Sequence, residues 1–182
     1  MHSLRPISMA LSNEDIRSYM HKGLLRFEPK VGEDQLGPAS VDLTLDGKFW
    51  VFKKKYAKGK KPVDLSKTGF REATEEKNGP SLTLASGGMA LGITKEKIFM
   101  PDDLIGTLEG RSRFARMGLA VHVTSALVQP GSENRQVLEI VNFAPFSVTI
   151  HEGMRISQIV FEKLATKTSK PYVKYGKVAR KQ

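Results

Sequence analysis

The residues best suited to chemistry form a short basic segment in the second half of the chain. Three arginines and one serine fall within six residues: Arg111, Ser112, Arg113 and Arg116. The segment follows Gly110 and lacks the alternation of a strand, so residues 111–117 can form a short helix. Guanidinium groups and the unpaired N–H groups of a helix start both suit phosphate oxygens. The segment is therefore either a phosphate-binding turn or a basic, solvated turn between strands.

A carboxylate within an apolar run is the second feature with chemical meaning. Glu139 shares one face of a predicted strand with Val137 and Val141. Such a carboxylate either lies on a wet face or is held in a pocket, where it can act as a proton shuttle. The strand pattern alone leaves both interpretations open.

The third feature is the basic and aromatic tail, residues 171–182. Tails of this composition are disordered by default. The alternative is a lid, formed by residues 167–182, that orders over a polyphosphate and excludes water from the site.

Metal chemistry finds little support in the sequence. The chain has no cysteine, which excludes disulfides and thiolate zinc sites and fits a reducing cytoplasm. The zinc-dependent deaminases need a pattern of the type HxE…PCxxC, so that scheme is closed to this chain. The four histidines stand apart, without an HxH or HxxxH pair: His2, His21, His122 and His151. We expect no metal site formed by the protein and interpret His122 as a core histidine bonded to backbone.

The length of 182 residues suits one domain, which we place at residues 9–182, with residues 1–8 a leader or expression remnant. Those eight residues lack the apolar core of a secretory signal, and no run of 18 apolar residues predicts a membrane span. The net charge of +10 favours a polyanionic ligand without choosing among nucleic acid, membrane surface and polyphosphate. We interpret the lysine-rich run at residues 53–61 as a solvated loop.

The elements that must position these residues are mostly strands. Ser12 and Asp15 form a capping box that predicts a short N-terminal helix ending near Gly23. Alternation from Val41 to Leu45 predicts a strand, and Asp46-Gly47 predicts a hairpin turn before a returning strand at residues 49–52. Residues 53–80 are predicted to be a long loop with one short strand. Further short apolar runs, separated by glycine and proline, favour an all-β sandwich or barrel.

Several separated motifs resemble those of the dCTP deaminase family, in the same order along the chain. They are the opening helix at residues 11–16, the strand at 37–43, the segment 110–119, Val121–Thr124, Pro130-Gly131, Val137–Glu139 and residues 153–158. The resemblance implies a distorted, jelly-roll-type β-barrel of the dUTPase-like superfamily, assembled as a homotrimer with active sites between subunits. It implies no zinc, and Mg²⁺ that arrives with the substrate triphosphate.

The resemblance also implies roles for single residues. Glu139 matches the family's catalytic glutamate, and Ser112 and Arg116 match residues that position the attacking water and the base. The substrate-binding residues implied in the same way are Arg111, Arg113, His122, Ser125, Gln129, Val137, Leu138, Tyr172, Lys177 and Gln182. Val137 and Leu138 would contact the nucleotide through their backbone, and Ser125 would hold the water through its carbonyl.

Some positions depart from the family pattern. Gln129 stands where many members carry an aspartate, Ser132 replaces an aromatic residue that packs on deoxyribose, and Asn134 replaces a glycine. Arg113 replaces a second serine, and Ser125 replaces an alanine. The missing aspartate argues against dUTP hydrolysis, and Ser132 leaves discrimination between dCTP and CTP open.

Three functions are therefore compared: a dCTP deaminase that forms dUTP; a dUTPase or bifunctional dCTP deaminase/dUTPase; and a non-catalytic homologue that binds nucleotide or nucleic acid. The conjunction of Glu139, Ser112 and Arg116 favours the deaminase. We expect dCTP as the ligand, with neither nucleic acid nor membrane as partner.

Overall fold

The computed structural model describes residues 9–57 and 62–176. Its first element is helix α1, Asn13–His21. The hydroxyl of Ser12 accepts the N–H of Asp15 at 3.3 Å, and the Asp15 carboxylate accepts the N–H of Ser12 at 3.0 Å. The backbone turns at Gly23, whose φ is +68°. The predicted capping box and helix end are thus confirmed.

Eleven strands are described in these ranges, and all their pairings are antiparallel. They are β1 (Arg26–Glu28), β2 (Val41–Phe52), β3 (Thr74–Asn78), β4 (Ser81–Leu84), β5 (Met89–Phe99), β6 (Leu104–Gly110), β7 (Leu119–Val121), β8 (Leu127–Val128), β9 (Glu133–Asn142), β10 (Val148–His151) and β11 (Arg155–Lys163). Short helices complete the fold: α2 (Lys54–Ala57), α3 (Phe70–Ala73), α4 (Ser112–Ala115), α5 (Tyr172–Tyr175) and a 3₁₀ turn at Glu33–Gln35.

One curled, half-barrel sheet carries most of the chain. Its strand order is β7-β9-β5-β2-β11-β6-β8, with β1 added to β5 and β3 added to β2, while β4 and β10 form a separate two-stranded sheet. The predicted all-β fold, the N-terminal helix and the short helix after Gly110 are confirmed. No helix in the described ranges is long and apolar enough to cross a membrane.

The hairpin predicted at Asp46-Gly47 is wrong. Strand β2 runs straight through these residues, and its register with β5 shifts between Leu45 and Phe49. The Asp46 carboxylate accepts the N–H of Gly47 and forms an ion pair with Arg135 of β9. A bulge in β2 thus takes the place of the predicted turn, and Arg135 pairs with the Asp46 carboxylate.

The hydrophobic core determines which side chains of β9 point inward. Leu138 and Ile140 are fully buried, as are Val41, Leu43 and Leu45 of β2. Burial of one such aliphatic side chain contributes about 1.5–3 kcal/mol. Since side chains alternate along a strand, anchoring Leu138 and Ile140 inward holds the residue between them on the opposite face.

The lysine-rich region 53–80 contains more structure than predicted. Its one predicted strand is β3, which pairs with the second half of β2. Two single-turn helices, α2 and α3, were not predicted. Part of the lysine run, residues 58–61, lies outside the described residues.

Candidate active site

Thr124 holds the carboxylate of Glu139. Its Oε2 atom accepts the Thr124 hydroxyl at 2.5 Å and the Thr124 backbone N–H at 3.2 Å. Among the described residues, none donates a hydrogen bond to Oε1, and the side chain is half-buried. One carboxylate oxygen is therefore fixed, and the other is open to a ligand or a water.

His122 shapes the loop that brings Thr124 to this place. Its φ of +55° lies in the left-handed region that a residue with a side chain rarely adopts. Its N–H donates to the Glu139 carbonyl at 2.7 Å, its Nδ1 accepts the Glu139 N–H at 3.4 Å, and its Nε2 bonds the Ser125 carbonyl at 2.7 Å. This pattern places the ring proton on Nε2. Three hydrogen bonds thus oppose the backbone strain, and the ring has the contacts of a backbone-bonded core histidine.

The arginine turn is built differently. Helix α4 is a single turn that begins directly after Arg111, so its macrodipole is small and the arginines themselves supply the attraction for anions. Ser112, Arg113 and Arg116 are exposed. In the described part of the chain, their side chains have no hydrogen bond or ion pair, although the Arg113 guanidinium lies 5.5 Å from the ring centroid of Phe114.

Arg111 contrasts with its neighbours because it is bonded inside the chain. Its guanidinium lies 3.1 Å from the Asp42 carboxylate and donates to the Arg155 carbonyl at 3.0 Å. A cleft of about 380 Å³ opens beside it. The lining includes Arg111, Ser112 and Arg113 on one side and Ser40, Asp42 and Gln158 on the other.

Gly118 connects the arginine turn to the end of the carboxylate strand. Its φ is +81°, and a Cβ at this position would lie 2.7 Å from the backbone nitrogen of Ala144. Its carbonyl accepts the N–H of Phe143 at 2.8 Å. Only glycine allows this close approach, so the two halves of the site share one rigid contact.

The predicted catalytic residues are not bonded to one another in the described part of a single chain. No hydrogen bond in the described ranges joins Glu139 to Ser112 or Arg116. Within the described residues, the carboxylate is bonded to Thr124, whereas the side chains of the serine and the arginine are exposed and have no hydrogen-bond partner.

The other predicted substrate-binding residues differ in how exposed they are. Leu138 is fully buried, so a nucleotide could reach it only through its backbone, while Val137 and Gln129 are half-buried. Ser125 is exposed, and its carbonyl is the acceptor for His122. The substrate contacts of these residues and of His122 stay predictions.

The described part of the tail rests on the turn before β9. The N–H of Tyr172 donates to the Pro130 carbonyl at 2.9 Å, and the N–H of Val173 donates to the Gly131 carbonyl at 3.0 Å. Gly131 has a φ of +70°, and a Cβ there would lie 2.5 Å from the Cβ of Pro171. Lys177 and Gln182 lie outside the described residues, so their roles stay predictions.

The sequence predicted no functional role for Thr124 or for Asp42. The contact between Thr124 and Glu139 spans 15 residues and depends on the pairing of β7 with β9. No local spacing signals it. For metals, no three His, Asp or Glu side chains within residues 9–57 and 62–176 form a group that could hold an ion.

Comparison with known proteins places this chain in a family. A family model described as dCTP deaminase-like matches residues 10–164. The chain belongs to this dCTP deaminase-like family. The dCTP deaminase-like chain is 40% identical over 174 residues to a Rhodospirillum rubrum protein named dCTP deaminase, covering 90% of this chain and 87% of the relative. It is 36% identical over 165 residues to a Methanobrevibacter smithii protein named dCTP deaminase, dUMP-forming, covering 89% and 84%.

The fold comparison agrees. The crystal structure of 2'-deoxycytidine 5'-triphosphate deaminase from Agrobacterium tumefaciens matches 87% of the dCTP deaminase-like chain with a TM-score of 0.67. Sequence identity is 21%, and the chain spans about half of that protein, 49% of its length. This match supports the fold.

Proposed function

We propose that the protein hydrolyses dCTP to dUTP and ammonia. The observation that carries the proposal is the Glu139 carboxylate, with one oxygen fixed by Thr124 and the other open. The free oxygen accepts a proton from a water as that water attacks C4 of cytosine. The protonated carboxyl gives this proton to N3 of the base, which yields a tetrahedral intermediate with a hydroxyl and an amino group on C4. Glu139 then moves the hydroxyl proton to the amino nitrogen, the C4–N bond breaks with release of ammonia, and C4 retains the water oxygen as a carbonyl.

Ser112 and Arg116 of a second copy complete the site in this proposal. Both side chains are exposed and lack hydrogen-bond and ion-pair partners in the described part of their own chain. Donors supplied by a neighbour would orient the water and stabilise charge that develops on the base. Because the family resemblance in the sequence implies a homotrimer, this is the assembly that we propose.

An apolar surface beside the site supports association. Met117, Val123 and Phe143 are large apolar side chains that are 57%, 73% and 72% exposed. The last two line a cleft of about 550 Å³ between β6 and β7. Apolar surface of this kind is typical of an interface.

The triphosphate is assigned to the arginine side of the site. Arg111 and Arg113 share the cleft described above and offer forked donors to phosphate oxygens. Mg²⁺ would bind the substrate phosphates rather than a set of protein carboxylates. Gln129, Val137, Leu138, Tyr172, Lys177 and Gln182 complete the proposed contacts with the nucleotide, and a cytoplasmic location remains part of the proposal.

The experiment is direct. Purified, assembled protein is incubated with dCTP and Mg²⁺, ammonia release is measured with a coupled assay, and the nucleotide product is identified by chromatography. Ammonia and dUTP in equal amounts are expected. Assembled protein that releases no ammonia would contradict the proposal. CTP in place of dCTP measures how far Ser132 relaxes selection of the sugar.

The dUMP-forming reaction is the second candidate, because relatives at 36% identity bear that name. It adds hydrolysis of the bond between the α- and β-phosphates. We favour dUTP as the product because Gln129 replaces the aspartate expected for that step. The same chromatogram separates the two, since dUMP with pyrophosphate would overturn dUTP as the final product.

A further inference from the structure

Arg111 is held in one orientation by its own chain. One of its terminal nitrogens faces the Asp42 carboxylate at 3.1 Å, and the other donates to the Arg155 carbonyl at 3.0 Å. A guanidinium has five N–H donors, so these contacts leave about three for a ligand. Neighbouring Arg113 and Arg116 have no such anchor in the described residues.

Asp42 occupies an uncommon place for a carboxylate. It lies on β2 between the fully buried Val41 and Leu43, and its side chain is only 14% exposed. The charged groups around it are Arg111, Arg155 and Asp34. Burial raises the pKa of Asp42 above its ordinary value, and the two arginines offset this only in part. The ionised carboxylate is therefore maintained at a cost to folding, a cost that falls as the pH falls.

A second aspartate on the same strand shows the opposite behaviour. Asp46 pairs with Arg135, away from the cleft, and its side chain is 28% exposed. Burial alone would raise the pKa of Asp46, but hydrogen bonds from Arg135 and Gly47 bring it below its ordinary value. This pair stabilises the fold at neutral pH, and that contribution is lost as the pH falls through the pKa of the folded chain. The partners of Asp46 thus more than offset the effect of burial on its pKa, whereas those of Asp42 offset it only in part.

We propose that Asp42 is a positioning residue that aims the guanidinium of Arg111 into the cleft, so that the triphosphate meets a donor set already in place. The proposal rests on the function proposed above. Its physical basis is preorganisation: a fixed arginine loses less side-chain freedom on binding than a free one. Gln158 supports the floor of the cleft, since it pairs with Asp42 across β11 and β2 and accepts the Ser40 hydroxyl at 3.0 Å.

The test compares Asp42→Asn with Asp46→Asn. Asparagine keeps the shape and one acceptor but removes the charge. For Asp42→Asn, we expect KM for dCTP to rise about tenfold, kcat to stay within about twofold, and Tm to be unchanged or higher. For Asp46→Asn, we expect a lower Tm and an unchanged KM. Calorimetric binding of inorganic tripolyphosphate, which needs no turnover, should weaken about tenfold in Asp42→Asn only.

A double variant gives the sharpest readout. If Asp42 acts through Arg111, adding Asp42→Asn to Arg111→Ala changes KM no further, because nothing remains to position. Independent, additive effects would overturn the proposal, as would a lower Tm with unchanged KM for Asp42→Asn. Wild-type protein that binds no tripolyphosphate would also overturn it. Tripolyphosphate binding that depends on Asp42, in a protein that releases no ammonia, would instead sink the deaminase function and leave the positioning role intact.

Discussion

The carboxylate strand and the arginine turn are connected through Gly118, yet their side chains differ in how many hydrogen bonds they form. Glu139 is bonded to Thr124, and His122 fixes the loop that carries Thr124. Ser112 and Arg116, in contrast, extend from α4 without polar partners in the described chain. Among the described residues, the Glu139 side already has its hydrogen bonds, whereas in our proposal a neighbouring copy brings the Ser112 and Arg116 side to the carboxylate. The proposed activity therefore depends on assembly as well as on folding.

The largest expected effect is the loss of kcat when Glu139 is substituted. Glu139→Gln keeps the shape and the bond from Thr124 but removes the proton acceptor, so kcat should fall by about 10³-fold or more while KM for dCTP changes little. Steady-state ammonia release measures both. Glu75→Gln, on the exposed strand β3, is the control and should behave like the wild type. A nearly normal rate for Glu139→Gln would remove the basis of the mechanism.

Subunit mixing tests whether the two halves come from different chains. Glu139→Gln and Arg116→Ala should each be nearly inactive alone. When they are unfolded, mixed in equal amounts and reassembled, about a quarter of the sites in a trimer combine a normal Glu139 with a normal Arg116 from the neighbour. Activity should return to about that fraction. If the mixture stays inactive while refolded wild type recovers, both residues act from one chain.

A substitution at Gly118, which joins the two halves of the site, should lower the free energy of unfolding. Gly118→Ala introduces a side chain where φ is +81° and the backbone of Ala144 is 2.7 Å away. We expect the free energy of unfolding to fall by about 3 kcal/mol. Gly153→Ala is the matched control, because Gly153 has a φ of +84° but no atom within 4 Å of a new Cβ. Its cost should be about 1 kcal/mol, and equal losses in urea unfolding would contradict the steric argument.

The smallest expected effect concerns the hydrogen bond by which Thr124 orients the Glu139 carboxylate. Thr124→Val removes the hydroxyl donor and keeps the backbone N–H, so kcat should fall by about tenfold with little change in KM. Thr124→Ser retains the hydroxyl and should stay near the wild-type rate. A loss of rate in Thr124→Ser but not in Thr124→Val would show that the methyl group of Thr124, rather than its hydrogen bond, matters.

Local chemistry made the fold largely predictable. The capping box at Ser12 and Asp15 is set by residues three apart, and the alternation that ends at Val141 marks β9 directly. The prediction failed at Asp46-Gly47 because the ion pair that keeps β2 extended comes from Arg135, 89 positions away. The sequence carries no local record of such a contact.

In the candidate site, too, some features could be predicted from the sequence, and others depend on contacts between distant residues. The family resemblance pointed to Glu139 and the arginine turn, whereas the residue types alone left a wet strand face and a solvated turn open as alternatives. The support from Thr124 and the restraint on Arg111 by Asp42 arise from strand pairing and could be seen only in the fold. A carboxylate beside a distant arginine looks the same in sequence whether it stabilises the fold or aims a ligand contact.

Strand β2 has a consequence for how the molecule comes apart. Its first half pairs with β11, and its second half pairs with both β5 and β3. The two sides of the large sheet cannot separate from each other without breaking pairing along this one segment. Amide protons in the centre of β2 should therefore exchange with deuterated water only through global unfolding, and the sheet should melt in one transition.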